Sequence, residues 1–304
     1  MNAAHQAHSH SEMRRGFAFG VAAYGLWGVL PIYFKAIAAV AAVDIVAHRI
    51  LWSLPFLALL LFASRGWSEV RQAIRRRRTL LLLLVTAVLI GINWLLYVYA
   101  VTSGHILAGS LGYYLNPLVN VLLGRFILKE RLSWLQWSAI AIAAAGILAL
   151  IGGALEQLWI SLTLAATFAT YGLLRKIALV DAVAGLAIET ALLFPLAIGW
   201  LAWRLATGEP SFGANGTETA LLVLAGVVST TPLLLFTAAA RRLPYSTLGM
   251  LQFLAPTLQF LCAVWLYGEP FGRAHAIAFG AIWTALALYV LALIRVPRPV
   301  QPPE

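Results

Sequence analysis

The chain has 304 residues, 62% hydrophobic and only 11% charged, where a soluble domain carries about 25% charge. Apolar runs of around 20 residues recur along its whole length, which excludes a soluble globular domain and points to membrane-spanning segments. These runs are continuous and rich in Ala and Leu rather than alternating, which excludes a β-barrel. The net charge of +10 sits between apolar runs, as membrane topology places it, and not on a nucleic-acid-binding face.

The polar first residues, MNAAHQAHSHSEMRR, contain His5, His8 and His10. They read as a disordered cytoplasmic tail over residues 1–16 rather than as a metal site. The apolar run after Arg14 and Arg15 is a full span without an A-x-A cleavage site, so no cleavable signal is expected. Ten spans follow, at about 17–35, 43–63, 79–101, 105–128, 134–152, 157–174, 182–206, 218–239, 244–267 and 273–294, with a proline-rich cytoplasmic tail over 295–304. With the N-terminus inside, seventeen of the 21 Lys and Arg residues fall on the cytoplasmic side. Only Lys35, Arg204 and Arg273 fall outside, and Arg49 lies within the second span. This positive-inside bias expects ten spans in the inner (plasma) membrane, both termini cytoplasmic. Arg175 and Lys176 are counted there as loop residues. Cys262 is the only cysteine, so no internal disulfide and no Cys/His metal cluster is expected. No Gly-x-Ser-x-Gly, His-Glu-x-x-His or Walker loop occurs, so neither an enzyme nor an ATP-driven pump is expected, and no cofactor.

Two stretches share a skeleton. In 111–130, LGYYLNPLVNVLLGRFILKE, Pro117 and Glu130 are thirteen residues apart, as are Pro256 and Glu269 in 250–269, at an offset of 139. Arg49 with Pro55 is echoed by Glu189 with Pro195, and Tyr24-Gly25-Leu26 by Tyr171-Gly172-Leu173. The order of landmarks implies two five-span halves, 17–152 and 153–294. Five is odd, so the second half enters from the opposite face. Such inverted repeats suit a carrier with a site near the midplane.

Several motifs resemble the drug/metabolite transporter superfamily, in its EamA branch and closest to the RarD-like group. They are GVAAYGLWGVLPIYFK over 20–35, Ala47-His48-Arg49, Asn93-Trp94, GSLGYYLNP over 109–117, Lys129-Glu130-Arg131-Leu132, Thr231-Pro232-Leu233 and LQFLAP over 251–256. The resemblance covers about 14–295. It implies an all-α membrane protein, two inverted five-helix EamA units around a central cavity. Gly268-Glu269-Pro270 departs from Lys129-Glu130-Arg131, so the two motif ends are not interchangeable.

Ionisable residues in hydrocarbon need a partner or a cavity, because each costs about 2.5–3.5 kcal/mol on insertion scales. Arg49, beside His48, suits an anionic or carboxylate-bearing solute; Glu189, the only acid read as deep in a span, is the candidate proton carrier. The competing reading is an ion pair or snorkelling. Asn93, Trp94 and Tyr97 in the third span, Tyr113, Asn116 and Asn120 along one face of the fourth, and Gln252 and Gln259 in the ninth are candidate cavity residues. Single amides could equally serve interhelical hydrogen bonds. Pro117 and Pro256 shape their helices, and Glu130 and Glu269 are expected to tie down helix ends. The functional expectation is a secondary carrier of small organic solutes working by efflux, with the bilayer, the solute and protons as partners. A non-transporting membrane scaffold or signalling protein is the alternative.

Overall fold

The computed structural model describes residues 3–37, 39–102, 106–151, 158–209, 212, 215–266 and 273–295, and among them every regular element is helical. A backbone in hydrocarbon must satisfy its own hydrogen bonds, and Ala- and Leu-rich runs do so as helices. The helices are α1 (Ala3–Ala36), α2 (Ala42–Ala63), α3 (Trp67–Arg75), α4 (Arg77–Thr102), α5 (Ile106–Phe126) and α6 (Trp134–Ile151). Then follow α7 (Leu158–Ile177), α8 (Ala182–Ala206), α9 (Gly216–Ala240), α10 (Tyr245–Gln252), α11 (Leu254–Leu261), a π-helical turn (Cys262–Leu266) and α12 (Arg273–Arg295). Eight helical segments among the described residues are long and apolar enough to cross a membrane; α6 adds a shorter apolar one, Trp134–Leu148.

Two features differ from the sequence reading. The stretch 1–16 was expected to be a disordered tail, but α1 is helical from Ala3 and continues into the first span. Residues 3–15 contain no Gly or Pro to stop a helix, and Glu12 ties this part down by pairing with Arg15 at 3.2 Å and Arg242 at 2.9 Å. The basic loop after α2 also holds a short helix, α3, which packs on α4 and α8 through buried Ala73 and leaves its arginines exposed.

The helices pack in specific pairs. α6 lies against α12, α2 against α8, and α5 against α10; α1 touches α9 and α11, α7 touches α4 and α5, and α2 and α4 reach α9 and α8 respectively. At α2–α9 the backbones meet directly. A Cβ on Gly226 would collide with the main chain of Trp52, so only glycine permits this approach. Ser53 and Thr230 seal the crossing with a 2.7 Å hydroxyl hydrogen bond. The largest apolar core joins α1, α2, α3, α4, α7, α8, α9, α10 and α11, and a second joins α5, α6, α10 and α12.

Polar ties gather at the two ends of the bundle. At one end Asp44 of α2 accepts from Trp200 Nε1 at 2.8 Å and Arg204 at 3.1 Å, both on α8, and the Tyr33 hydroxyl donates to the Leu221 carbonyl at 2.8 Å. The other, basic end carries Arg65, Arg71, Arg75 to Arg78, Arg131, Arg241 and Arg242. Here Lys176 donates to the carbonyls of Ala240 (2.7 Å) and Leu243 (2.5 Å), and the Asp181 amide donates to Glu69 (2.6 Å). Glu130 caps the N-terminus of α10, accepting from the amides of Tyr245 (2.5 Å) and Ser246 (3.0 Å) and from the Ser246 hydroxyl (2.6 Å). Lys129, with φ of 55°, makes the left-handed turn just before it. Glu269 lies outside the described residues.

The two matched prolines differ. Pro117 sits inside the unbroken α5. Pro256 follows the interruption at Phe253 that separates α10 from α11, and having no N–H it cannot donate to the Gln252 carbonyl.

Candidate functional site

Two groups of polar side chains lie within the spans, at different depths and with opposite degrees of closure. The first centres on Arg49, in the half away from the basic end. Arg49 is half-buried, and its Nε is shut off from solvent with no hydrogen-bond partner. Its guanidinium lies over the Trp94 ring, 4.2 Å from the centroid. The phenols of Tyr113, Tyr33 and Tyr97 are the titratable groups facing it, and Tyr97 and Tyr113 meet edge to face at 5.4 Å. Residues from α1, α2, α4 and α5 thus converge, and all five side chains are half-buried rather than sealed. Among the described residues Arg49 has no salt-bridge partner. A cation held this way has donors left to spend.

The second group centres on Glu189, nearer the basic end, and it is closed. Glu189 is 1% exposed and lies 3.6 Å from the Nε of Arg175, which is 0% exposed. Thr86 donates to Glu189 at 2.5 Å and Tyr171 at 3.3 Å. Arg175 also donates to the Ala182 carbonyl at 3.2 Å, while its Nε and one terminal nitrogen lack hydrogen-bond partners. Gly185 makes room for it: a Cβ there would fall on the guanidinium. Arg175 was counted as a cytoplasmic loop residue, but it is the largest fully buried side chain in the last turns of α7. The partner of Glu189 is therefore Arg175, not Arg49.

The remaining candidates divide between these groups. His48 is one residue from Arg49, hence about 100° round the helix, and stacks on Phe212 at 5.2 Å instead of joining the Arg49 cluster. Asn93 is buried and donates to the Leu164 carbonyl and to Thr167 Oγ1, both at 2.9 Å, linking α4 to α7. Asn120 and Gln252, also buried, bond at 2.8 Å between α5 and α10. Gln259 donates to the Trp27 carbonyl at 3.1 Å. Tyr113, Asn116 and Asn120 share a face of α5, but exposure ends between the first two. Tyr113 is half-buried, whereas Asn116 is fully buried with neither amide atom partnered.

Below Trp94 lies an aromatic group that no sequence motif revealed. Phe236 of α9 packs against Tyr24 (6.2 Å), Trp27 (5.8 Å), Phe168 (5.3 Å) and Tyr171 (6.4 Å). The two tyrosines come from the repeated Tyr-Gly-Leu triplets and flank one ring. Trp94 packs against the same core and Tyr171 bonds Glu189, so the aromatic group links the half-open Arg49 cluster to the sealed Glu189 pair.

Residues 14–152 match the EamA-like transporter family. An uncharacterized transporter of Vibrio cholerae serotype O1 is 45% identical over 91% of this chain and 92% of its own length. Protein RarD of Escherichia coli (strain K12) is 43% identical, covering 94% and 97%. The chloramphenicol-sensitive protein RarD of Pseudomonas aeruginosa is 34% identical, covering 90% and 93%. A solved crystal structure superposes with a TM-score of 0.73 over 92% of this chain and 99% of that one; at 22% identity this speaks to fold alone. The chain is thus a multi-pass membrane transporter and belongs to the EamA-like family, on the RarD-like branch of the drug/metabolite transporter superfamily.

Proposed function

We propose that the chain is a secondary carrier that exports small organic solutes, metabolites or drugs, across the inner (plasma) membrane by alternating access. Ten membrane passes form two inverted five-helix units, with both termini and the basic end in the cytoplasm. The packing supports this reading. Pairing α1, α2, α4, α5 and α6 with α7, α8, α9, α10–α11 and α12 maps the helix contacts onto one another. The α2–α8, α5–α10 and α6–α12 contacts map onto themselves, α1–α9 maps onto α7–α4, α1–α11 onto α7–α5, and α2–α9 onto α8–α4. A fold whose halves can exchange environments has two conformations of similar energy.

One observation carries the reading: Arg49 and Glu189, at equivalent places in the two halves, have unlike surroundings. The first is half-open and without a salt-bridge partner among the described residues, the second sealed in a buried ion pair. In this account the solute leaves from Arg49, Trp94, Tyr97 and Tyr113 on the external side while the basic end is closed, and it loads when the basic end opens. Opening that end parts Glu189 from Arg175, and a carboxyl so parted can exchange a proton with the cytoplasmic side, which makes Glu189 the coupling residue. The unpartnered amide of Asn116 is then uncovered to the solute.

The test is flux in liposomes reconstituted with the full chain, with a pH gradient imposed. Saturable solute movement that changes with the gradient supports the carrier. Flux no greater than in empty liposomes across a broad metabolite and antibiotic panel sinks it. Cysteine labelling adds a conformational readout in a Cys262→Ser background: solute should raise labelling at Asn116→Cys from the basic side.

A further inference from the structure

We infer that the Arg49 site recognises organic anions, a single carboxylate carried on an apolar or aromatic body, and rejects the corresponding zwitterions and cations. This deepens the carrier reading and rests on it for taking the Arg49 cluster as the solute site.

The charge pattern leads to this class. Arg49 presents a guanidinium whose described neighbours are a Trp94 face and three phenols, with no carboxylate among them. Its Nε is buried and unbonded. A planar guanidinium with its Nε unspent and no described carboxylate beside it matches a carboxylate, which such a fork can hold through two parallel hydrogen bonds. The Tyr97 and Tyr113 hydroxyls are at hand to share the second lone pairs. One cation completes one negative charge, so a dianion would be left with an unmatched charge.

The same surroundings disfavour an ammonium group. The nearest acid on the same helix, Asp44, is committed to Trp200 and Arg204. Glu189 is committed to Arg175, Thr86 and Tyr171 on the closed side. No described acid is left to receive an α-amino group, and Arg49 repels it. The apolar body of the solute has a place: Trp94 bridges the guanidinium to the core that contains Trp27, Phe168 and Phe236.

The test compares four probes of one skeleton, phenylacetate, phenylacetamide, phenylalanine and phenethylamine, by thermal stabilisation of the purified full chain and by liposome flux. Phenylacetate should bind about ten- to a hundredfold more tightly than phenylacetamide, the value of a charge-assisted hydrogen-bonded pair. Phenylalanine and phenethylamine should bind no better than the amide. Arg49→Gln should abolish the carboxylate-over-amide ratio, and Tyr113→Phe, a milder change, should reduce it without loss of folded protein on gel filtration. Equal binding of the amine or zwitterion, an unchanged ratio in Arg49→Gln, or no saturable binding of phenylacetate or longer aryl carboxylates overturns the inference. The two readings fail separately. Carboxylate binding without flux removes the carrier and leaves the anion site, while flux of cations or neutral solutes alone removes the anion site and leaves the carrier.

Discussion

The Glu189–Arg175 pair is the sharpest test of how this bundle is held together. Glu189→Gln keeps the shape of the side chain, and the Thr86 and Tyr171 hydroxyls, now 2.5 Å and 3.3 Å from the carboxylate, can still bond to it. What is lost is the charge opposite Arg175, whose remaining described bonds are to the carbonyls of Ala182 (3.2 Å) and Asp181 (3.5 Å). Stranding one partner of a fully buried pair costs about 3–5 kcal/mol, a large part of the roughly 5–15 kcal/mol that holds a typical domain folded. Arg175→Met should cost less, because a stranded carboxyl can be neutralised by a proton and a guanidinium cannot. The double variant Arg175→Met with Glu189→Met should recover most of the loss, since a buried pair replaced by apolar groups is close to neutral. The assay is the fraction of monodisperse protein left after heating in detergent, read by gel filtration for the parent, both single variants and the double variant. A Glu189→Gln protein within about 0.5 kcal/mol of the parent, as a surface change would be, or a double variant as weak as the worse single one, would refute this account.

Other substitutions should separate structural from solute-facing roles. Glu130→Ala removes the cap on α10 and should cost about 1 kcal/mol of stability, measured by the same heating assay, with solute affinity unchanged in the protein that survives. Asn93→Ala breaks both hydrogen bonds to α7 and should cost about 1–4 kcal/mol at about 0.6–2 kcal/mol each; unaltered stability would return Asn93 to the cavity. Gly226→Leu forces α2 and α9 apart where their main chains touch, so a loss of at least about 1–3 kcal/mol is expected, seen as a lower heating midpoint and a smaller yield of folded protein.

Much of the Arg49 cluster was legible in the sequence, because Arg49, Trp94, Tyr97 and Tyr113 are the polar or amphipathic residues of their apolar runs and such residues seek the interior. His48 turns to Phe212 although it neighbours Arg49 in the chain, because adjacency in sequence is not adjacency on a helix. Arg175 was hidden by its position. A basic residue at the end of a span looks like an interfacial anchor, and only the packing of α7 on α8, with Gly185 yielding space, turns it inward. Asn93 and Asn120 carried no mark distinguishing an amide that faces a cavity from one bonded to a neighbouring helix. That depends on which atom of another helix comes within about 3 Å, and hydropathy does not record it.

By itself the sequence determined that this is a membrane protein of helices, roughly where most of them begin and end, its family, and the basic end. These properties follow from local composition, since transfer into hydrocarbon is decided residue by residue and backbone hydrogen bonds close within each helix. The tertiary structure alone decided the pairing of Glu189 with Arg175, the aromatic group around Phe236, the interhelical hydrogen bonds of Asn93 and Asn120, and the half-open state of Arg49. Each is a contact between helices far apart in the chain, set by where small residues let backbones approach and where side chains of unlike depth meet.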